Sequence, residues 1–146
     1  MHVLGFGHEQ SRTDRNKYLS INWTNIPKSA WYLYSAGSDA HALLDYSIPY
    51  DYASILHYGP FDFAINKRQP TLVSTMSQFY TRANFQLSAL DVVKLNAAYK
   101  CIGTKVMTDC VDYMPECRTI LDEQCRSSSY VRDVCQTTCR SCRMFT

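Results

Sequence analysis

The chain has 146 residues, 46% of them hydrophobic and 19% charged, with a formal net charge of +2. That length suits one domain of ordinary size, or a modest domain with a small appendage. The weak charge and the lack of a basic stripe argue against a nucleic-acid partner, and no apolar run approaches the ~20 residues that cross a bilayer.

In chain order, the first residues read as the end of a helix stopped by Gly5. Residues 14–86 are rich in Tyr, Ser, Asn and Pro with only short apolar runs, which predicts irregular structure with brief helices or strands. A helix is expected over residues 88–100. Ser88 is a suitable N-cap with Asp91 three positions on, and Leu87, Leu90, Val93 and Ala97 make an apolar stripe at helical spacing. Gly103 stands just past its end, where a stop signal belongs. A short polar link over residues 103–108 leads to a cysteine-rich tail at 109–142, so the expected division is 1–102, 103–108 and 109–142.

All seven cysteines, Cys101, Cys110, Cys117, Cys125, Cys135, Cys139 and Cys142, fall after residue 100. Such density with few aliphatic residues nearby describes a module stapled by disulfides. Zinc is the competing explanation, but the tail holds no histidine, and only Cys139 and Cys142 have C-x-x-C spacing. Disulfides place the chain in an oxidising compartment, and the expectation is a secreted, extracellular protein. The opening residues lack the basic start and apolar stretch of a signal peptide, so the natural beginning is expected upstream of Met1. Asn22-Trp23-Thr24 is an N-glycosylation sequon, which makes Asn22 a candidate acceptor.

The stretch His2-Val3-Leu4-Gly5-Phe6-Gly7-His8 has the form H-x-x-G-x-x-H, the second half of the zinc-protease pattern H-E-x-x-H-x-x-G-x-x-H. Two histidines four apart on a helix project from one face and share a metal ion, with the intervening Glu as general base. The glycine ends the helix in a left-handed conformation and brings a third histidine round to the same ion. Three nitrogens leave a fourth position open, as a catalytic zinc requires. Here His2 takes the second position and His8 the third; the first histidine and the base are expected just upstream of Met1. Alone, this half-motif also fits a helix end with two hydrogen-bonded histidines.

The residues around and beyond His8 are more specific. Gly5-Phe6-Gly7-His8-Glu9-Gln10-Ser11-Arg12-Thr13-Asp14-Arg15-Asn16 resembles the astacin signature G-F-x-H-E-Q-x-R-x-D-R-D, departing at Asn16. Ser54-Ile55-Leu56-His57-Tyr58 resembles that family's Met-turn, S-I-M-H-Y, and Leu95-Asn96-Ala97-Ala98-Tyr99-Lys100-Cys101 resembles the end of its protease domain. The resemblance, to a metzincin family over residues 1–101, implies an α+β fold: the C-terminal lobe of a metzincin-type protease domain, followed by a small disulfide-rich helical module. It implies one Zn2+ ligated by His2, His8 and Tyr58, with Tyr58 also stabilising the transition state. It makes Glu9 a buried acid that meets a mature N-terminal amine, and Leu56 the occupant of the methionine position beneath the metal. Gly5 keeps its structural role. Cys101 matches a cysteine whose mate lies near the family's N-terminus, outside this chain; the alternative for this odd cysteine is a reactive thiol or an intermolecular bridge.

The tail spacing, C-x6-C-x7-C-x9-C-x3-C-x2-C, leaves fifteen pairings open. Cys110-Val111-Asp112 and Cys135-Gln136-Thr137-Thr138-Cys139-Arg140-Ser141-Cys142 resemble the ShKT module, which implies Cys110–Cys142, Cys117–Cys135 and Cys125–Cys139. Arg140 replaces the glycine usual in the closing motif. Ser129-Tyr130 stands where the channel-blocking toxins carry lysine and tyrosine, so the expected role is positioning substrate or binding extracellular matrix or a cell surface. The function implied is a zinc metalloendopeptidase acting on proteins and peptides, neither nucleic-acid binding nor integral to a membrane, with this chain inactive alone. The runner-up is a non-catalytic secreted binding module acting through the tail.

Overall fold

The computed structural model describes residues 1–37, 48–101 and 110–142, in two compact units that divide between Leu87 and Ser88. The boundary expected at residue 102 lies within the second unit, and the expected link 103–108 lies outside the described residues.

In the first unit, regular structure is sparse. Its one described sheet pairs β1 (Leu19–Ile21) with β2 (Leu72–Ser74) antiparallel, in the register Leu19↔Ser74 and Ile21↔Leu72. Short 3-10 turns supply most of the rest: His2–Leu4, Glu9–Ser11, Arg15–Lys17, Trp23–Asn25 and Lys28–Tyr34. The helix expected before Gly5 is thus a single 3-10 turn. Gly5 ends it at φ 82°, ψ 7°, and its N–H donates to the His2 carbonyl. Only glycine takes that left-handed geometry without steric penalty.

Tyrosine builds much of the core here. Tyr34, Tyr50, Tyr52 and Phe79 are fully buried, with Tyr52 stacked on Phe79 at 5.7 Å and Tyr50 edge-on to Tyr52 at 5.0 Å. A buried phenol needs a partner for its O–H, and each has one. Tyr34 donates to the Asp62 carbonyl (2.8 Å), Tyr52 to that of Tyr18 (2.6 Å), and Tyr50 bonds His57 Nε2 (2.7 Å). A tyrosine-rich segment that looked irregular therefore packs densely with little regular backbone.

The second unit opens with α1 (Ala89–Tyr99). The capping box forms as expected: Asp91 N–H donates to Ser88 Oγ (2.8 Å) and Ser88 N–H to Asp91 Oδ2 (3.0 Å). Two details differ from expectation. Lys100, at φ 49°, ends the helix in the left-handed region, three positions before Gly103, which lies outside the described residues. The inward face is set by Leu90, Asp91 and Lys94, while Leu87 is exposed and Val93 and Ala97 are half-buried.

In the tail, a 3-10 turn (Pro115–Thr119) precedes α2 (Asp122–Ser127) and α3 (Ser129–Val134). The disulfides are Cys110–Cys142, Cys117–Cys135 and Cys125–Cys139, the pairs found in the module that the sequence resembles. They surround a small core of Tyr113, Met114, Ile120, Tyr130, Val131 and Val134. Asp112 bridges Cys135, and Tyr113 N–H donates to the Val134 carbonyl at 2.7 Å. Arg140 holds φ 50°, a left-handed residue where the related modules place glycine. Cys101 is exposed and outside the three disulfides.

Candidate metal centre

Gly5 reverses the chain after the first 3-10 turn, and the reversal brings His8 back against His2, with ring centroids 4.5 Å apart. The second 3-10 turn then carries Glu9, Gln10 and Ser11 into the interior, where all three are buried. From 50 residues beyond His8, Tyr58 places its ring 4.4 Å from that of His8. The three side chains singled out from the sequence therefore form one cluster.

Both imidazoles are oriented the same way. Nδ1 of His2 donates to the Phe6 carbonyl (2.8 Å) and Nδ1 of His8 to the Leu56 carbonyl (2.9 Å). A carbonyl accepts only, so each ring carries a proton on Nδ1, which in the neutral imidazole leaves the lone pair on Nε2. This is how metal-binding histidines are commonly held. Burial lowers the His8 pKa, a push opposed by the bond to Leu56, which favours the neutral ring that a cation needs. Burial, reinforced by the charge of Asp62, raises the Tyr58 pKa and keeps the phenol an O–H donor near neutral pH. This donor set fits a zinc ion in its ligand types, nitrogen with one oxygen. A cavity of about 400 Å³ adjoins the histidines, lined by His2, Gly7, His8, Ser11, Tyr32, Leu33 and Ser35. Among the described residues no group of three or more His, Cys, Asp or Glu could hold a metal.

The other residues predicted from the motifs have clear places. Leu56 is buried, and its carbonyl accepts from both His8 Nδ1 and Glu9 N–H (3.3 Å). Glu9 is buried with partners within the chain: Arg12 Nη1 donates to its Oε1 (3.2 Å), as does Asp51 N–H (2.8 Å). Asn22 is half-buried and opens the turn Trp23–Asn25; Thr24 Oγ1 donates to its Oδ1 at 2.7 Å.

Other contributors were not singled out from the sequence. Arg12 grips Asp14 through two bonds of 2.9 Å and donates to the carbonyls of Ile48 (3.1 Å) and Pro49 (3.2 Å). His57 donates from Nδ1 to the Tyr58 carbonyl (2.6 Å) and accepts the Tyr50 hydroxyl on Nε2. Gln10 accepts Tyr58 N–H on Oε1 (3.1 Å). Gln10, Arg12 and His57 are all letters of the astacin signatures, which was the available signal. What each touches lies up to 48 residues away, which spacing does not encode.

With this geometry established, comparison with known proteins gives its class. The fold is that of an astacin-like zinc protease. High choriolytic enzyme 1, a hatching enzyme zinc-protease from Oryzias latipes, superimposes with a TM-score of 0.58 at 32% identity, over 66% of this chain and 46% of that one. Residues 1–100 match the family model for the astacin peptidases, and residues 109–142 match the ShK domain-like model; the chain belongs to the astacin family. Among curated relatives, meprin A subunit alpha of Mus musculus is 38% identical over 115 residues, 77% of this chain and 15% of its own length. Zinc metalloproteinase nas-38 of Caenorhabditis elegans is 38% identical over 102 residues, 68% of this chain and 14% of its own. The chain thus spans about a seventh of these relatives' length. Family membership implies zinc as the metal. No helix among the described residues is long and apolar enough to cross a membrane.

Proposed function

We propose that the protein to which these residues belong is a secreted, zinc-dependent endopeptidase that hydrolyses internal peptide bonds of protein substrates. The observation that carries the reading is the convergence of His2, His8 and Tyr58 with both imidazole Nδ1 atoms committed to carbonyls. His2 and His8 are the metal ligands from this chain, and Tyr58 is the third. When bound, the ion supplies Lewis acidity to the scissile carbonyl. The bonds to the carbonyls of Phe6 and Leu56 engage each Nδ1 and leave each Nε2 available to a metal. Tyr58 would serve as ligand in the resting site and, turned from the metal towards substrate and protonated, would donate its O–H to the oxyanion that develops there. Two groups remain to be supplied, a further imidazole and a carboxylate that takes the proton of the attacking water. We assign both to sequence outside residues 1–146.

Residues 1–146 alone are therefore expected to show no peptidase activity. A denatured protein substrate should survive incubation with the purified chain and zinc. Cleavage that a chelator abolishes would overturn this division of labour. The protease part is taken as 1–102 and the ShK-like part as 109–142, joined by 103–108. The latter serves as an accessory that engages extracellular matrix or a cell surface. Asn22 is the proposed glycan acceptor: Asn22→Gln in the secreted protein should remove one glycan's mass, and an unchanged mass argues against it.

A further inference from the structure

Gln10 is fully buried in the turn that follows His8. Its side-chain amide faces Tyr58 N–H, a donor, so the atom received there is the carbonyl Oε1, at 3.1 Å. The other half of the amide, Nε2, is buried with no partner among the described residues. Burying an unsatisfied amide N–H is unfavourable, and a methionine of the same length would avoid it. The half of the amide that finds a partner is its carbonyl, and that partner is the Tyr58 N–H. Two further ties surround this bond. Leu56, two residues before Tyr58, accepts from His8 Nδ1 and Glu9 N–H. Arg15 Nη1 donates both to the main-chain carbonyl of Gln10 (3.0 Å) and to that of Tyr34, whose ring packs 5.5 Å from the Tyr58 ring.

We infer that Gln10 is a positioning residue for Tyr58: its carbonyl fixes the Tyr58 backbone so that the phenol stays within reach of a metal held by His2 and His8. The inference rests on the ligand set proposed above. Gln10 touches neither metal nor substrate and acts through the Tyr58 amide.

Cu2+ is the probe, since it binds such sites most tightly among first-row divalent ions. When Tyr58 ligates Cu2+, the phenol proton passes to buffer and the phenolate–copper pair absorbs visible light by charge transfer. The wild-type chain with Cu2+ should show this band, and Tyr58→Phe should lack it. Gln10→Met, which keeps length but removes the acceptor, should lose the band and exchange the Tyr58 amide proton at least about tenfold faster. Gln10→Glu, which keeps an acceptor, should retain the band. If the wild type shows no band, or Tyr58→Phe keeps it, the ligand set falls and Gln10's role falls with it. If those two behave as expected but Gln10→Met keeps the band, the role of Gln10 alone is overturned; loss of the band in both Gln10 variants overturns it too. Should Gln10→Met fail to fold, amide exchange in the wild-type chain decides: a Tyr58 amide as fast as exposed loop amides overturns the inference.

Discussion

Arg12 keeps its guanidinium out of water between two carboxylates, Glu9 and Asp14, with carbonyls of Ile48 and Pro49 taking further N–H groups. Such a pair adds little over a well-packed apolar one, but removing one partner leaves buried charge uncompensated. Arg12→Ala should therefore destabilise the chain by about 3–5 kcal/mol, read as a lower urea midpoint by tryptophan fluorescence. Arg12→Lys should recover only part, because an ammonium cannot bind Asp14 through two parallel bonds. Tyr52 gives a pH-dependent case. Burial raises its pKa to about 12, and its O–H donates to Tyr18, which a phenolate could not do. The folded chain then keeps this proton while the unfolded chain releases it near pH 10. The contribution is complete below pH 10 and is lost as pH rises through 12, about 2–3 kcal/mol in all. Against Tyr52→Phe, which has no such proton, the wild type should lose relative stability across that window in urea titrations. A constant difference would show that the phenol ionises equally in both states.

Local signals in the sequence translated well into elements. The Ser88–Asp91 capping box joins residues three apart, so both partners stood in view before any fold was known, and the structure forms both bonds. Ser88→Ala should cost about 1 kcal/mol, seen as faster amide exchange along the first turn of α1 and restored by Ser88→Thr. The Gly5 stop was legible for the same reason. What escaped was non-local or lacked a residue signature. β1 and β2 are three residues each and some fifty apart, too short for alternation to register. The α1 terminus falls at Lys100 because a left-handed lysine can close a helix, although glycine is the usual mark. In the candidate site, the clustering of His2, His8 and Tyr58 followed from motifs that the chain shares with its family. The bonds that hold them, His8 to Leu56 and Gln10 to Tyr58, cross 48 residues and appear only in coordinates.

At the scale of the whole molecule, the chain stabilises its two ends by different means. The unit Met1–Leu87 contains no cysteine and relies on a tyrosine-rich core with paired hydroxyls. Residues 110–142 bury few aliphatic side chains and carry three disulfides instead, the usual solution for a module with too little apolar surface to fold unaided. Cross-linking Cys117 to Cys135, 18 residues apart, narrows the unfolded ensemble by about 3 kcal/mol on chain-entropy grounds. That is comparable to the entire stability expected of so small a core. Both tryptophans, Trp23 and Trp31, lie in the first unit, so fluorescence reports on that unit separately. Reduction by dithiothreitol, or the double change Cys117→Ala/Cys135→Ala, should open residues 110–142 to limited proteolysis. Tryptophan emission should stay at its native wavelength, because no bond in the first unit is reducible. A tail that resists protease after full reduction would mean that its few buried side chains suffice, and the disulfides would then be an addition to a fold that already stands.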